Sequence, residues 1–175
     1  MTASRRHILQ IGAGFLAGLS LPCTAFTDRA VEIRMVGKAD GSHVWFDPVG
    51  LRIQPGQTIR FINQDPGNSH TTTAYHPQNF GRPLRIPEGA APWNSDYLLP
   101  DGVFSVSLTL EGIYDFFCIP HEHAGMVGRI IVGGADRPPM ATTAQTGDRE
   151  QIPEAAKLAL PSIEEIMRQG VVRRS

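Results

Sequence analysis

One stretch of the chain, Tyr114-Asp115-Phe116-Phe117-Cys118-Ile119-Pro120-His121-Glu122-His123-Ala124-Gly125-Met126-Val127-Gly128, carries most of its chemistry. Within it Cys118, His121 and Met126 stand in the order C-x-x-H-x-x-x-x-M. A thiolate, an imidazole and a thioether make a soft donor set. The thioether argues for copper, because zinc and the hard cations rarely accept one. A trigonal copper site takes two His and one Cys with a long axial Met, so a second His must come from elsewhere. His70 is the best candidate, since it follows the turn-rich run Asn63-Gln64-Asp65-Pro66-Gly67-Asn68-Ser69. His123 lies two residues past His121, as either a decoy ligand or a surface histidine. His43 and His76 have no assigned role. Taken singly each residue is ordinary, and a lone Cys is usually a small buried hydrophobe. The combination is what points to a metal.

The whole chain holds 2 Cys in 175 residues. That count excludes a disulfide framework and a four-cysteine zinc or iron–sulfur site. The first of the two, Cys23, sits in a segment with its own logic. Ser4-Arg5-Arg6-His7-Ile8-Leu9-Gln10 precedes an apolar run from Ile11 to Leu21 and a small-residue exit, Cys23-Thr24-Ala25. This has the form of an export signal and resembles the twin-arginine signals of bacteria. Its apolar stretch is shorter than the roughly 20 residues of a spanning helix, although a retained membrane anchor is the alternative. Cleavage after Ala25 leaves Cys118 as the only cysteine and takes the net charge from −1 to −3. A lone thiol in an oxidising compartment is expected to be paired, reactive or metal-bound.

The remaining chain must position these side chains, and its pattern is that of short strands. Gly and Pro number 18 and 14, and 41% of residues are hydrophobic, enough for a core. Alternating runs occur at 31–36, 51–53, 59–62, 104–110, 114–118 and 127–132, separated by turn signals such as Gln54-Pro55-Gly56-Gln57. The expected architecture is an antiparallel β-sandwich or barrel. A further strand is expected at about His70 to Tyr75, followed by a long Pro-rich loop whose Phe80, Trp93 and Tyr97 cover one side of the core. Residues 134–151 read as a linker. Residues 152–175 then form a helical extension, with short helices at 153–160 and 162–169 split by Pro161. Ser162 and Glu165 fit a capping box, Ile163, Ile166 and Met167 form an apolar stripe, and Gly170 is the stop. The stripe is expected to pack on the sandwich, with partner docking as the alternative.

The string Y-x-F-x-C-x-P-H-x-x-x-G-M-x-G-x-I-x-V is matched at every fixed position between Tyr114 and Val132. With 56–70 it resembles the plastocyanin/azurin group of cupredoxins, over about residues 31–133. The resemblance implies an all-β, Greek-key cupredoxin sandwich over 26–133 with His70, Cys118, His121 and Met126 as the four ligands of one type 1 copper ion. It also implies an electron exit at the edge of His121, framed by Pro120, Ala124 and Gly125. One departure is Thr71, where the family often has an Asn that donates a hydrogen bond near the Cys sulfur.

No nucleophile–base pair is evident, which argues against an enzyme. No long charge run points to nucleic acid, and no small-molecule substrate is implied. The expected function is a soluble, monomeric, periplasmic blue copper protein that carries single electrons between transiently docked redox partner proteins. A copper-binding or copper-handling protein without an electron-carrier role, kept alive by His76 and His123, is the alternative; a tethered interaction module is a third. Residues 26–133 carry 11 acidic and 8 basic side chains with a single lysine, Lys38, which excludes a lysine-ringed docking face. Arg82 and Arg85 are expected to form a small basic spot beside the site.

Overall fold

The computed structural model describes residues 30–134 and 152–174. The export segment and, save for Gly134, the linker lie outside these residues.

Among the described residues, nine strands build two packed sheets: β1 (Val31–Gly37), β2 (Val44–Asp47), β3 (Gly50–Ile53), β4 (Thr58–Asn63), β5 (Thr73–Ala74), β6 (Val103–Ser107), β7 (Gly112–Phe117), β8 (Val127–Val132) and β9 (Val171–Val172). One sheet runs β2-β1-β4-β6 and the other β5-β7-β8-β3-β9. Strands adjacent in a sheet are mostly not consecutive in the chain, as in a Greek-key sandwich. The sheets are not purely antiparallel as expected: β1 pairs parallel with β4, and β3 with β8. Both pairings follow from the chain changing sheets between the partners.

The alternating runs work as period-two patterns. Ile33 and Met35 of β1, Ile59 and Phe61 of β4, and Tyr114 and Phe116 of β7 all point into the space between the sheets. Phe116 anchors that core, with its ring centroid 4.8 Å from Phe46 and 5.3 Å from Phe61, both edge-on. Strand β2 went unrecognised in the sequence, and it supplies Phe46.

The second sheet is covered on its outer face too. Helices α1 (Glu154–Ala159) and α2 (Ile163–Gln169) follow closely the expected spans. Ser162 Oγ accepts from the Glu165 N–H at 3.0 Å, and Gly170 caps the other end. Ile166 packs on Val49, Ile113 and Ile131, while Ile152 and Ala156 pack on Tyr75, Phe117 and Val127. The apolar stripe therefore buries itself on the sandwich, and β9 adds an edge strand to β3. Among the described residues, no helix is long and apolar enough to cross a membrane.

Two expectations fail. The segment 70–75 is a strand only at Thr73–Ala74, with isolated bridges at His70 and Thr73. Thr72, just before that strand, bonds to side chains: its N–H donates to Ser95 Oγ, and its Oγ1 accepts from Trp93 Nε1. Of the three loop aromatics only Trp93 enters the core. Phe80 and Tyr97 are 67% and 58% exposed. Phe80 sits at φ 60° in a tight turn whose Asn79 side chain donates to the Ala74 and Trp93 carbonyls, so the turn faces its ring outward.

Candidate metal centre

Strand β7 delivers Cys118. Its alternate residues Tyr114 and Phe116 line the inter-sheet core, so Cys118, next in that series, also faces inward and is fully buried. The chain then makes a short 3-10 helix over Ile119–Ala124, ended by Gly125 at φ 84°, a left-handed conformation that glycine adopts without strain. That turn carries His121 back over the cysteine and places Met126, also fully buried, at the head of β8. Two backbone bonds fix the loop: Cys118 N–H to the Met126 carbonyl, and Met126 N–H to the His121 carbonyl. His70 comes from the other side, beyond β4 and its turn, tied to Leu98 by a reciprocal pair of backbone bonds.

The three donor atoms converge. His70 Nδ1 and His121 Nδ1 are 3.1 Å apart, and Cys118 Sγ lies 3.6 Å and 3.5 Å from them. A point equidistant from these atoms is about 2.0 Å from each, which is the length of a metal–imidazole bond and close to a metal–thiolate one. The residues therefore fit a metal ion in size as well as in donor chemistry. Among the described residues, His70, Cys118 and His121 are the group of His, Cys and acidic side chains gathered this way. His123, His76 and His43 are not part of it; His76 Nδ1 accepts from the Gln78 N–H, and His43 stacks on Trp45.

Around the donors the protein supplies a fixed hydrogen-bonded frame. The Thr71 N–H donates to Cys118 Sγ at 3.3 Å. Its hydroxyl accepts from the Ile119 N–H at 2.8 Å and pairs with Thr73 Oγ1. Thr71 thus ties the His70 and Cys118 segments together. His70 Nε2 bonds Asp65 Oδ2 at 3.0 Å, a partner that sequence reasoning missed. Burial alone would raise the Asp65 pKa, but bonds from Asn68, Gly67 and His70 outweigh it and leave it lowered. Burial pushes the Cys118 thiol up to about 11 and lowers both histidines, in His121 with help from the nearby His70. Without a metal the pocket disfavours charge. Cys118 would hold a bound cation as the thiolate, which the cation's charge would favour.

The expected basic spot does not form. Arg85 is buried and bridges to Asp115 at 2.9 Å, so it offers nothing to the surface. Arg82 pairs instead with Glu122, whose buried carboxylate also accepts from the Tyr75 hydroxyl at 2.8 Å. Both arginines are consumed by acids inside the fold. Sequence could not show this, since Arg85 and Asp115 lie 30 residues apart.

The description "Copper binding proteins, plastocyanin/azurin family" matches residues 33–133. A chloroplastic plastocyanin of Chlamydomonas reinhardtii is 33% identical over 136 residues, covering 75% of this chain and 86% of its own. A pseudoazurin of Paracoccus pantotrophus is 30% identical over 129 residues, covering 74% and 79%. The solved structure of a pseudoazurin from Sinorhizobium superposes with a TM-score of 0.54 at 26% identity, covering 79% of this chain and 98% of that one.

Proposed function

The chain belongs to the plastocyanin/azurin family of copper-binding proteins, with one copper ion as its cofactor, and we propose that it is a periplasmic single-electron carrier whose copper is held by His70, Cys118, His121 and Met126. One observation carries three of the four ligands, His70, Cys118 and His121: two Nδ1 atoms and a thiol sulfur converge within 3.1–3.6 Å of one another in a site of two buried residues and one half-buried. Copper in such a site supplies a one-electron Cu(II)/Cu(I) couple. The protein's part is to keep the donors still. Thr71 anchors the sulfur and the loop, Asp65 anchors His70, and backbone bonds to Cys118 and His121 anchor Met126. A frame that does not reorganise favours fast electron exchange.

His121 is the half-buried member, ringed by exposed Pro120, His123 and Ala124. A partner protein would dock on that face, and electrons would pass at the His121 edge. Small contacts of this kind suit weak, transient encounters. The segment 1–25 would direct export and leave a mature domain from residue 26, with 152–175 bracing the back of the ligand loop through Ile152 and Ala156.

The test is direct. Mature metal-free protein mixed with Cu(II) should develop an intense visible band that vanishes on reduction and returns on oxidation, without loss of copper. Cys118→Ser should abolish the band and His123→Ala should leave it intact. A colourless protein, or copper released on each reduction, would remove the carrier function.

A further inference from the structure

We propose that Asp65 tunes the copper site by fixing and polarising His70, so that the oxidised state is favoured and the midpoint potential held down. The proposal rests on His70 being a copper ligand.

The Asp65 carboxylate is 2% exposed and lies behind His70, on the side away from the other donors. Its position is built, not incidental. Strand β4 ends at Asn63, whose Oδ1 accepts from the Asp65 N–H and whose Nδ2 donates to the Asn68 and Leu98 carbonyls, each at 2.9 Å. That one side chain folds the turn and ties it to Leu98, His70's backbone partner. The carboxylate then accepts three donors: the Gly67 N–H on Oδ1, and Asn68 Nδ2 and His70 Nε2 on Oδ2. A second observation comes from β1. A Cβ on Gly37 would fall 2.8 Å from Asp65 Cγ, so glycine at that position leaves the carboxylate its space.

The chemistry follows from the proton count. An ionised carboxylate only accepts, so His70 Nε2 must donate. The ring is thereby held in the Nε2–H tautomer with a bare Nδ1 lone pair directed at Cys118 and His121. A carboxylate behind a ligating imidazole raises its basicity, and such partners are worth about 10–100-fold in metal affinity. The doubly charged ion gains more from a basic donor and a nearby negative charge than the singly charged one does. Asp65 therefore acts through His70 as a positioning residue. Because Oδ2 is shared, Asn68 works against it by drawing charge away from His70.

Two variants and one spectrum decide the matter. Copper-loaded wild type, Asp65→Asn and Asn68→Ala would be titrated against redox mediators, which supply and accept the single electron. Asp65→Asn should weaken the preference for Cu(II) over Cu(I) about 10-fold, a rise of about 59 mV for a one-electron couple. Asn68→Ala should move the potential the opposite way, by less. In metal-free wild type, nitrogen NMR of the His70 ring should show the Nε2–H tautomer, a readout that needs neither copper nor a variant. An unchanged Asp65→Asn potential, both variants shifting in one direction, or an Nδ1–H tautomer would overturn the proposal. If Asp65→Asn fails to fold or to take copper, the Asn68→Ala shift and the tautomer decide it. Wild type that takes up no copper would instead defeat the ligand assignment, and this proposal with it.

Discussion

Strand β7 serves two buried polar clusters, one on each face, and they differ in what they leave open. Its inner series, Tyr114 and Phe116, leads to Cys118 and the converging histidines. Its outer series carries Asp115, fully buried between Arg85 and Arg129. There every charge is answered from within the protein. Asp115 Oδ1 accepts Arg129 Nε at 2.7 Å, Oδ2 accepts Arg85 and Arg129, and Arg129 also donates to the Pro161 carbonyl at 2.9 Å. At the metal pole, two imidazole nitrogens and a thiol sulfur face one another. The first cluster fastens elements together; the second is a donor set of the kind that holds a metal ion.

Breaking the saturated cluster should have the largest effect on stability. Asp115→Ala leaves two buried guanidinium groups without their carboxylate and should cost about 3–5 kcal/mol. Urea unfolding of the metal-free protein measures this, and whatever fraction stays folded should bind copper with an unaltered spectrum. A loss below about 1 kcal/mol, as for a surface pair, would mean the cluster is not the fastening it resembles. The contrast with Cys118→Ser is sharp: that variant should lose all colour while the metal-free fold keeps nearly its full stability.

A smaller effect tests the contrast inside the metal pole, where Thr71 does both jobs. Its backbone N–H serves the sulfur, and its hydroxyl serves the Ile119 N–H. Thr71→Val keeps the first and deletes the second. The orphaned Ile119 N–H should cost about 1–2 kcal/mol in urea unfolding, with the visible band retained. Loss of the band would show that the hydroxyl belongs to the ligand shell after all.

These two clusters were unequally legible in the sequence. Cys118, His121 and Met126 stand out as candidate ligands because metal ligation needs specific residue types at loop spacing, and His70 becomes a candidate from the donor count. Asp65 and Asp115 do not, because a carboxylate's role depends on what covers it. Asp115 in Tyr-Asp-Phe-Phe looks like the wet side of an alternating strand, and it is the loop carrying Arg85 together with the C-terminal extension that makes that side dry. The same cause hid the fate of Arg85. Strands β1, β3, β4, β7 and β8 were readable from alternation. Strand β2 was masked by Trp45, an aromatic on its half-buried face, and β9 is too short to show a period.

The smallest expected effect asks whether the two faces of β7 are coupled at all. Helix α2 has seven residues, too few to persist in water without support, so its hold comes from Ile166 against Ile113 and Ile131 and from the Ser162 cap. Ser162→Ala removes one bond to the Glu165 N–H and should cost about 1 kcal/mol. The loss should surface locally, as faster hydrogen exchange of the α2 amides, before the sandwich strands respond. Because α2 follows Pro161, whose carbonyl holds Arg129, fraying there should also quicken exchange along the β3–β8 pairing. The copper spectrum should not change, since Phe116 and Phe117 stand between the outer cluster and Cys118 as rigid core. A spectral shift in Ser162→Ala would mean that the extension reaches the ligands through the strand it covers, and the separation of the two faces would fail.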